Sequence, residues 1–258
     1  MNTFRQILGI YNPWWKDGSM AFSQLPEFHR TIFDDIYRDL IQLPQMISVT
    51  GPRRVGKSTL LKQIIKKLIE SGTTPESIIY YSFDDPALLS ERINRDDFVN
   101  SLFTGEEPTK KKPKFLFLDE IQSLPNWELY LKKYYDLGFP IKIVVSGSAT
   151  SPIFKKSRES LLGRLKDYHL LPFSYYEFVA YSLSENKSLV TELTQLHDSG
   201  KNFLNFTDIN SLSEKIPQVS NNLKNELDRL LLKYFLEGGY PEVWTLPSME
   251  AKQDYLFD

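Results

Sequence analysis

Apolar residues along this chain switch between two spacings. Short unbroken runs alternate with stretches in which apolar positions recur every three or four residues. The runs are Met46-Ile47-Ser48-Val49-Thr50, Ile78-Ile79-Tyr80-Tyr81-Ser82-Phe83, Phe115-Leu116-Phe117-Leu118, Ile141-Lys142-Ile143-Val144-Val145 and Asp167-Tyr168-His169-Leu170-Leu171. Runs of this length and β-prone make-up predict strands, and the most apolar of them suit a parallel sheet covered on both faces. Helical spacing appears in Phe28, Ile32, Ile36, Leu40 and Leu43, with Pro44 stopping that helix. It recurs in Leu60, Leu61, Ile64, Ile65, Leu68 and Ile69, and from Pro125 to Leu137 with Trp127, Leu131 and Tyr134 or Tyr135 inward. A short helix is predicted over 94–103, and another through Tyr175, Tyr176, Phe178, Val179 and Tyr181. Leu223, Leu227, Leu230, Leu231 and Tyr234 mark an amphipathic helix that stops at Gly238-Gly239, with Pro241 beyond. Residues 1–26 read as an irregular lead, 184–222 are polar with weak periodicity, and the tail beyond Val243 has no strand pattern.

Composition narrows the class. The chain has 258 residues, 41% hydrophobic and 25% charged, enough for one large domain or two modest ones. It has no cysteine, which excludes disulfides and thiolate metal sites, and its three histidines (His29, His169, His197) are too scattered for a dedicated zinc site. No apolar run is long enough to cross a membrane and the first residues form no secretory signal, so the expectation is a cytoplasmic protein with no membrane partner. A net charge of −2 gives no global attraction to nucleic acid.

Between the first strand and its helix lies Gly51-Pro52-Arg53-Arg54-Val55-Gly56-Lys57-Ser58-Thr59, a gapless match to the phosphate-binding loop, Walker A. Gly51 and Gly56 permit backbone angles that turn successive N–H groups toward phosphate oxygens. Lys57 would bring an ammonium to the β and γ phosphates and Ser58 a hydroxyl to Mg²⁺. A random chain of this length shows the pattern roughly once in a hundred. Here a strand precedes it and a helix follows, as phosphate binding at a helix N-terminus requires.

The run Phe115–Leu118 ends in Asp119-Glu120, the Walker B form. Asp119 would hold Mg²⁺ opposite Ser58, and Glu120 would orient and polarise the attacking water as general base. A carboxylate directly after the metal-holding Asp points to an ATPase rather than a signalling GTPase. Ser146 and Ser148, at the end of the next apolar run, are candidates for sensing the γ-phosphate. Arg158 and Arg164 precede the last strand, and Arg164 is the candidate for an electrostatic finger, in its own chain or on a neighbour's site in a homo-oligomer. Weaker signals have ordinary readings beside functional ones. Asp84-Asp85 before Pro86 fits turn chemistry. The basic stretch Pro108–Lys114 fits a solvated loop. The aromatic patch Tyr11–Trp15 is expected to pin the N-terminal arm rather than to pack beside adenine.

Taken in order, Gly51–Thr59, Phe115–Gln122, Ser146–Ser148, Leu162–Arg164, Leu171–Ser174 and Gly238–Glu242 resemble the AAA+-like ATPases of bacteria and archaea. The closer likeness is to a branch related to the signal-transduction ATPases, with a GPRRVGKST loop, an LDEIQ Walker B and a GGYPE element, and it covers roughly residues 25–245. The resemblance implies an α/β fold, a P-loop NTPase three-layer sandwich whose parallel five-stranded sheet has the order 5-1-4-3-2, followed by a small helical lid. It implies ATP and Mg²⁺ as ligands. It also implies that a Gly-x-Pro segment of the lid touches nucleotide, which places Tyr240 or Pro241 at the base or sugar; a helix simply ending at Gly238 and Pro241 is the alternative.

The expected organisation is an aromatic arm (1–26), an ATPase domain (27–182) and a lid (183–258), in a chain shortened relative to the family. The expected activity is Mg²⁺-dependent ATP binding and hydrolysis to ADP, coupled through the lid to a macromolecular partner, protein or DNA. A slow nucleotide switch and a DNA-associated ATPase such as a helicase loader are the alternatives.

Overall fold

The computed structural model describes residues 3–86, 94–104, 114–148, 160–201 and 218–257. The chain divides into two compact units, Met1–Leu170 and Leu171–Asp258.

The first unit is built on β1 (Met46–Gly51), β2 (Ile78–Ser82), β3 (Lys114–Asp119), β4 (Ile141–Ser148) and β5 (Leu165–His169). All neighbouring pairs are parallel, in the order β2-β3-β4-β1-β5, which is the expected 5-1-4-3-2 read from the other edge. Its longer helices are α1 (Thr3–Tyr11), α2 (Phe33–Gln42), α3 (Lys57–Glu70), α4 (Arg95–Thr104) and α5 (Trp127–Asp136). Successive strand residues face opposite sides of a sheet. Ile79, Tyr81, Leu116, Leu118, Ile143 and Val145 enter one core with Leu8, Phe98, Phe103, Trp127 and Leu131 from α1, α4 and α5. The alternate residues Ile47, Val49, Tyr80, Phe117 and Val144 are also buried, on the side where α2 and α3 pack. Both faces are therefore covered, which is why the strands read as unbroken apolar runs.

Three expectations for this unit are corrected. The N-terminal lead is helical, because Phe4, Ile7, Leu8 and Tyr11 repeat at helical spacing and pack on the core beneath β2. Just after α1, the Asn12 side-chain amide pairs with the Tyr80 backbone, donating to its C=O at 2.9 Å and accepting from its N–H at 2.6 Å. The Trp14 and Trp15 indoles donate to the Ile78 carbonyl at 3.3 and 2.9 Å. The aromatic patch thus pins the arm along the outer edge of β2. The second helix starts at Phe33 rather than near Phe28. Residues 26–30 are held instead by side chains: Gln63 of α3 donates to the Pro26 and Phe28 carbonyls at 2.7 and 2.9 Å. The last strand begins two residues early, at Leu165, because its pairing with β1 starts at Met46. Leu171 is left exposed beyond its end.

The second unit contains α6 (Tyr175–Ser182), α7 (Lys187–Lys201), α8 (Asn221–Glu237) and α9 (Met249–Phe257). Ser174 and Glu177 form a reciprocal capping box at the start of α6. The weakly periodic stretch holds α7 and the tail holds α9, neither of which the pattern predicted. Phe173, Phe178, Tyr181, Tyr234 and Trp244 form an aromatic cluster with ring centroids 4.9 to 6.2 Å apart. The chain after α8 lies against this cluster. The Gly239 carbonyl accepts from the Phe173 N–H at 2.7 Å, and a Cβ on Gly239 would stand 2.3 Å from the Phe173 oxygen. Only glycine permits that approach of two backbones.

Candidate functional site

The loop Gly51–Gly56 leaves β1 and enters α3 through two left-handed residues, Arg54 (φ 66°) and Gly56 (φ 94°). Successive amides in such a turn point inward and form an anion-binding hollow. Gly56 is the N-cap of α3 and brings no side-chain acceptor to the first helical N–H groups, so they remain available to an anion. Gly51 is fixed by a second constraint. Leu170 donates its N–H to the Thr50 carbonyl at 2.7 Å, and a Cβ on Gly51 would meet the Leu170 oxygen at 2.1 Å. Of the remaining loop residues, Val55 is buried, Arg53 and Arg54 are exposed, and Pro52 and Thr59 are half-buried.

Lys57, the first residue of α3, is buried and folds back over the loop, donating to the Pro52 carbonyl at 2.7 Å and the Gly51 carbonyl at 3.2 Å. Burial lowers its pKa, and the charges of Glu120 and Asp119 oppose that shift.

Asp119 is the last residue of β3 and is buried. Its Oδ2 accepts from the Tyr80 hydroxyl at 2.7 Å; its Oδ1 accepts from the Ser146 hydroxyl and from the Glu120 N–H at 3.0 Å. Parallel register explains the convergence, since Ser82 pairs with Asp119 and Tyr80 with Phe117, while Phe117 pairs with Val144. Tyr80, Asp119 and Ser146 consequently project from the same face of the sheet, the one that carries α3. Burial first, then the Asp119 charge, push the Tyr80 hydroxyl well above its ordinary pKa and keep it a donor. Glu120 turns the chain off the strand in a left-handed conformation (φ 48°), and its carboxylate accepts from the Gln122 side chain.

The other candidate residues divide. Of the two serines, Ser146 reaches Asp119, whereas Ser148 lies at the end of β4 in register with Gly51. Arg164 is not brought to the loop. It precedes β5, and its carbonyl accepts from Met46 at the start of β1, so roughly 17 Å of strand separates it from Gly51. Its guanidinium forms a two-pronged pair with Asp136 at 2.8 and 3.1 Å, which raises its own pKa and lowers that of Asp136. A residue before a parallel strand stands at the end of the sheet opposite the strand tips, and that excludes a finger acting within this chain. Arg158 and most of the basic stretch 108–114 lie outside the described residues. Asp84 and Asp85 are held by local hydroxyls, Ser82 at 2.5 Å and Tyr81 at 3.0 Å. Pro241 opens a short helical turn in the second unit, directly after Tyr240. Sequence reasoning missed Tyr80, and it missed Arg30, a buried residue whose guanidinium donates to the Val55 carbonyl of the loop at 3.1 Å.

A family model described as an AAA domain matches residues 43–179, more than half of the chain. The chain belongs to the AAA domain family. The matched segment runs from just before β1 to within α6 and holds the loop, the acidic doublet and both serines. An uncharacterized protein of Methanocaldococcus jannaschii is 30% identical over 215 residues, covering 83% of this chain and 40% of that protein. An uncharacterized protein of Haemophilus influenzae is 27% identical over 146 residues, covering 56% of this chain and 36% of its own. The AAA domain chain thus spans well under half the length of these relatives. Among solved structures, C. elegans PCH-2 aligns with a TM-score of 0.47 at 14% identity, covering 98% of this chain and 68% of that one. AMPPCP-bound DnaA from Aquifex aeolicus aligns at 0.41 and 14% identity, covering 83% and 62%. No described helix is long and apolar enough to cross a membrane.

Proposed function

We propose that this AAA domain binds ATP with Mg²⁺ at the loop and hydrolyses it to ADP and phosphate. The observation that carries the reading is the loop itself: it turns through left-handed Arg54 and Gly56 into a helix N-terminus with no side-chain cap, and the buried Lys57 ammonium folds back over it. The oxygen donors of Ser58 and Asp119 suit a hard divalent cation, and these two residues would hold it. Such a cation would neutralise charge on the β and γ oxygens.

The chain's own groups do the rest. Loop amides from Gly51 to Thr59 grip the phosphates, and Lys57 exchanges its carbonyl partners for phosphate oxygens. Glu120 orients a water and takes its proton as the oxygen attacks phosphorus. Ser148, in register with Gly51, is the candidate γ-phosphate sensor, and Pro241 with Tyr240 the candidate contact to base or sugar. The second unit acts as a lid that transmits nucleotide state to a macromolecular partner. DNA-stimulated turnover with steep salt dependence would instead favour a DNA-associated ATPase.

The test pairs two variants. Lys57→Ala is expected to abolish binding of a fluorescent ATP analogue, and unchanged binding would end this reading. Glu120→Gln is expected to bind ATP normally and lose turnover; retained turnover would move the base elsewhere.

A further inference from the structure

The Tyr80 hydroxyl donates to Oδ2 of Asp119, a side chain expected to hold the cation, at 2.7 Å. Asp119 Oδ1 already accepts from Ser146 and from the Glu120 N–H, which fills it. Among the described residues Oδ2 accepts from Tyr80 alone, which leaves it one lone pair. The ring is held on every side: it is 5% exposed, its backbone is paired to β3 and to Asn12, and the Lys62 ammonium lies 5.7 Å from its centroid.

We propose that Tyr80 is a positioning residue for the divalent cation, fixing the Asp119 carboxylate so that the remaining Oδ2 lone pair serves the metal, without touching the metal itself. The proposal rests on the nucleotide reading of the loop. It assigns metal affinity to a strand residue outside both Walker motifs. Hydrogen-bond partners of metal-holding groups set affinity by roughly tenfold to a hundredfold.

Tyr80→Phe tests it, because the change removes one oxygen while leaving the ring packing and the backbone pairing with Asn12 in place. The full chain, loaded with a non-hydrolysable ATP analogue, is titrated with Mn²⁺ and the free ion is read by electron paramagnetic resonance. Analogue affinity is measured separately in EDTA. The variant is expected to bind Mn²⁺ about tenfold to a hundredfold more weakly, with EDTA affinity within about twofold of wild type. Equal Mn²⁺ constants would overturn the proposal. An equal loss in EDTA would overturn it too, since that pattern belongs to a loosened loop or a poorly folded variant. A wild-type chain that binds the analogue under neither condition would overturn the nucleotide reading, and with it the role of Tyr80.

Discussion

Gly51 in the first unit and Gly239 in the second meet the same steric demand. A Cβ at either position would fall 2.1 or 2.3 Å from a backbone oxygen, of Leu170 and of Phe173 respectively. Their surroundings differ. Gly51 opens a turn of inward amides that leads to Lys57 and to a helix N-terminus whose first N–H groups have no side-chain cap. Gly239 is backed by Phe173, Phe178 and Trp244, and its carbonyl is already taken by the Phe173 N–H. A glycine motif therefore reports a close approach of two backbones. Whether that approach makes a binding site or a scaffold joint depends on the polar groups left unspent around it.

The sharpest way to break this comparison is Gly51→Ala. The added methyl cannot coexist with the Leu170 carbonyl, so β1 and the loop must shift; nucleotide affinity is expected to fall by at least about a hundredfold and stability by about 3 kcal/mol or slightly less. Calorimetry and fluorescent-analogue titration read both, and near wild-type affinity would separate Gly51 from the site. Gly239→Ala should cost about 2 kcal/mol in the second unit and leave nucleotide affinity within about twofold. A parallel loss of affinity would show that this joint also serves the nucleotide, and would strengthen the lid reading of Pro241.

The smallest effect comes from a charged tie that belongs to the first unit alone. Asp39 accepts from Lys166, Tyr168 and Arg38, and these bonds outweigh burial and hold its pKa near 2, below the ordinary 3.8. A carboxyl whose folded pKa is depressed stabilises above its unfolded value and loses that contribution as pH falls through the folded one. Asp39→Asn should therefore destabilise the first unit at neutral pH, by less than either glycine change, and the gap to wild type should close between about pH 4 and pH 2. Thermal melts across that range check it, and a gap independent of pH would show that the tie does not depend on charge.

Much of the first unit was legible because its strands are buried on both faces, so the sequence writes them as plain apolar runs. The loop and the acidic doublet were legible because each fixed position has a local reason. What failed depended on distant partners. Residues 26–30 leave the helical pattern because Gln63 and Arg30 tie this stretch to α3 and to the loop. The Phe4–Tyr11 periodicity was present but was overshadowed by the aromatic patch beside it. Arg164 has the right charge and chain order, but a residue that precedes a parallel strand stands at the wrong end of the sheet. Tyr80 was hidden because its partners are set by register across two strands, and one apolar run carries no trace of its neighbour's parity.

The pairing of Asn12 with the outer edge of β2 has a consequence for solubility. An uncovered parallel edge offers a row of free amides and carbonyls to any stray strand. By spending one carboxamide and two indoles on the Ile78 and Tyr80 backbone, the arm closes that rim to recruitment by another molecule. A preparation trimmed of its first twenty residues should therefore self-associate, which light scattering would read.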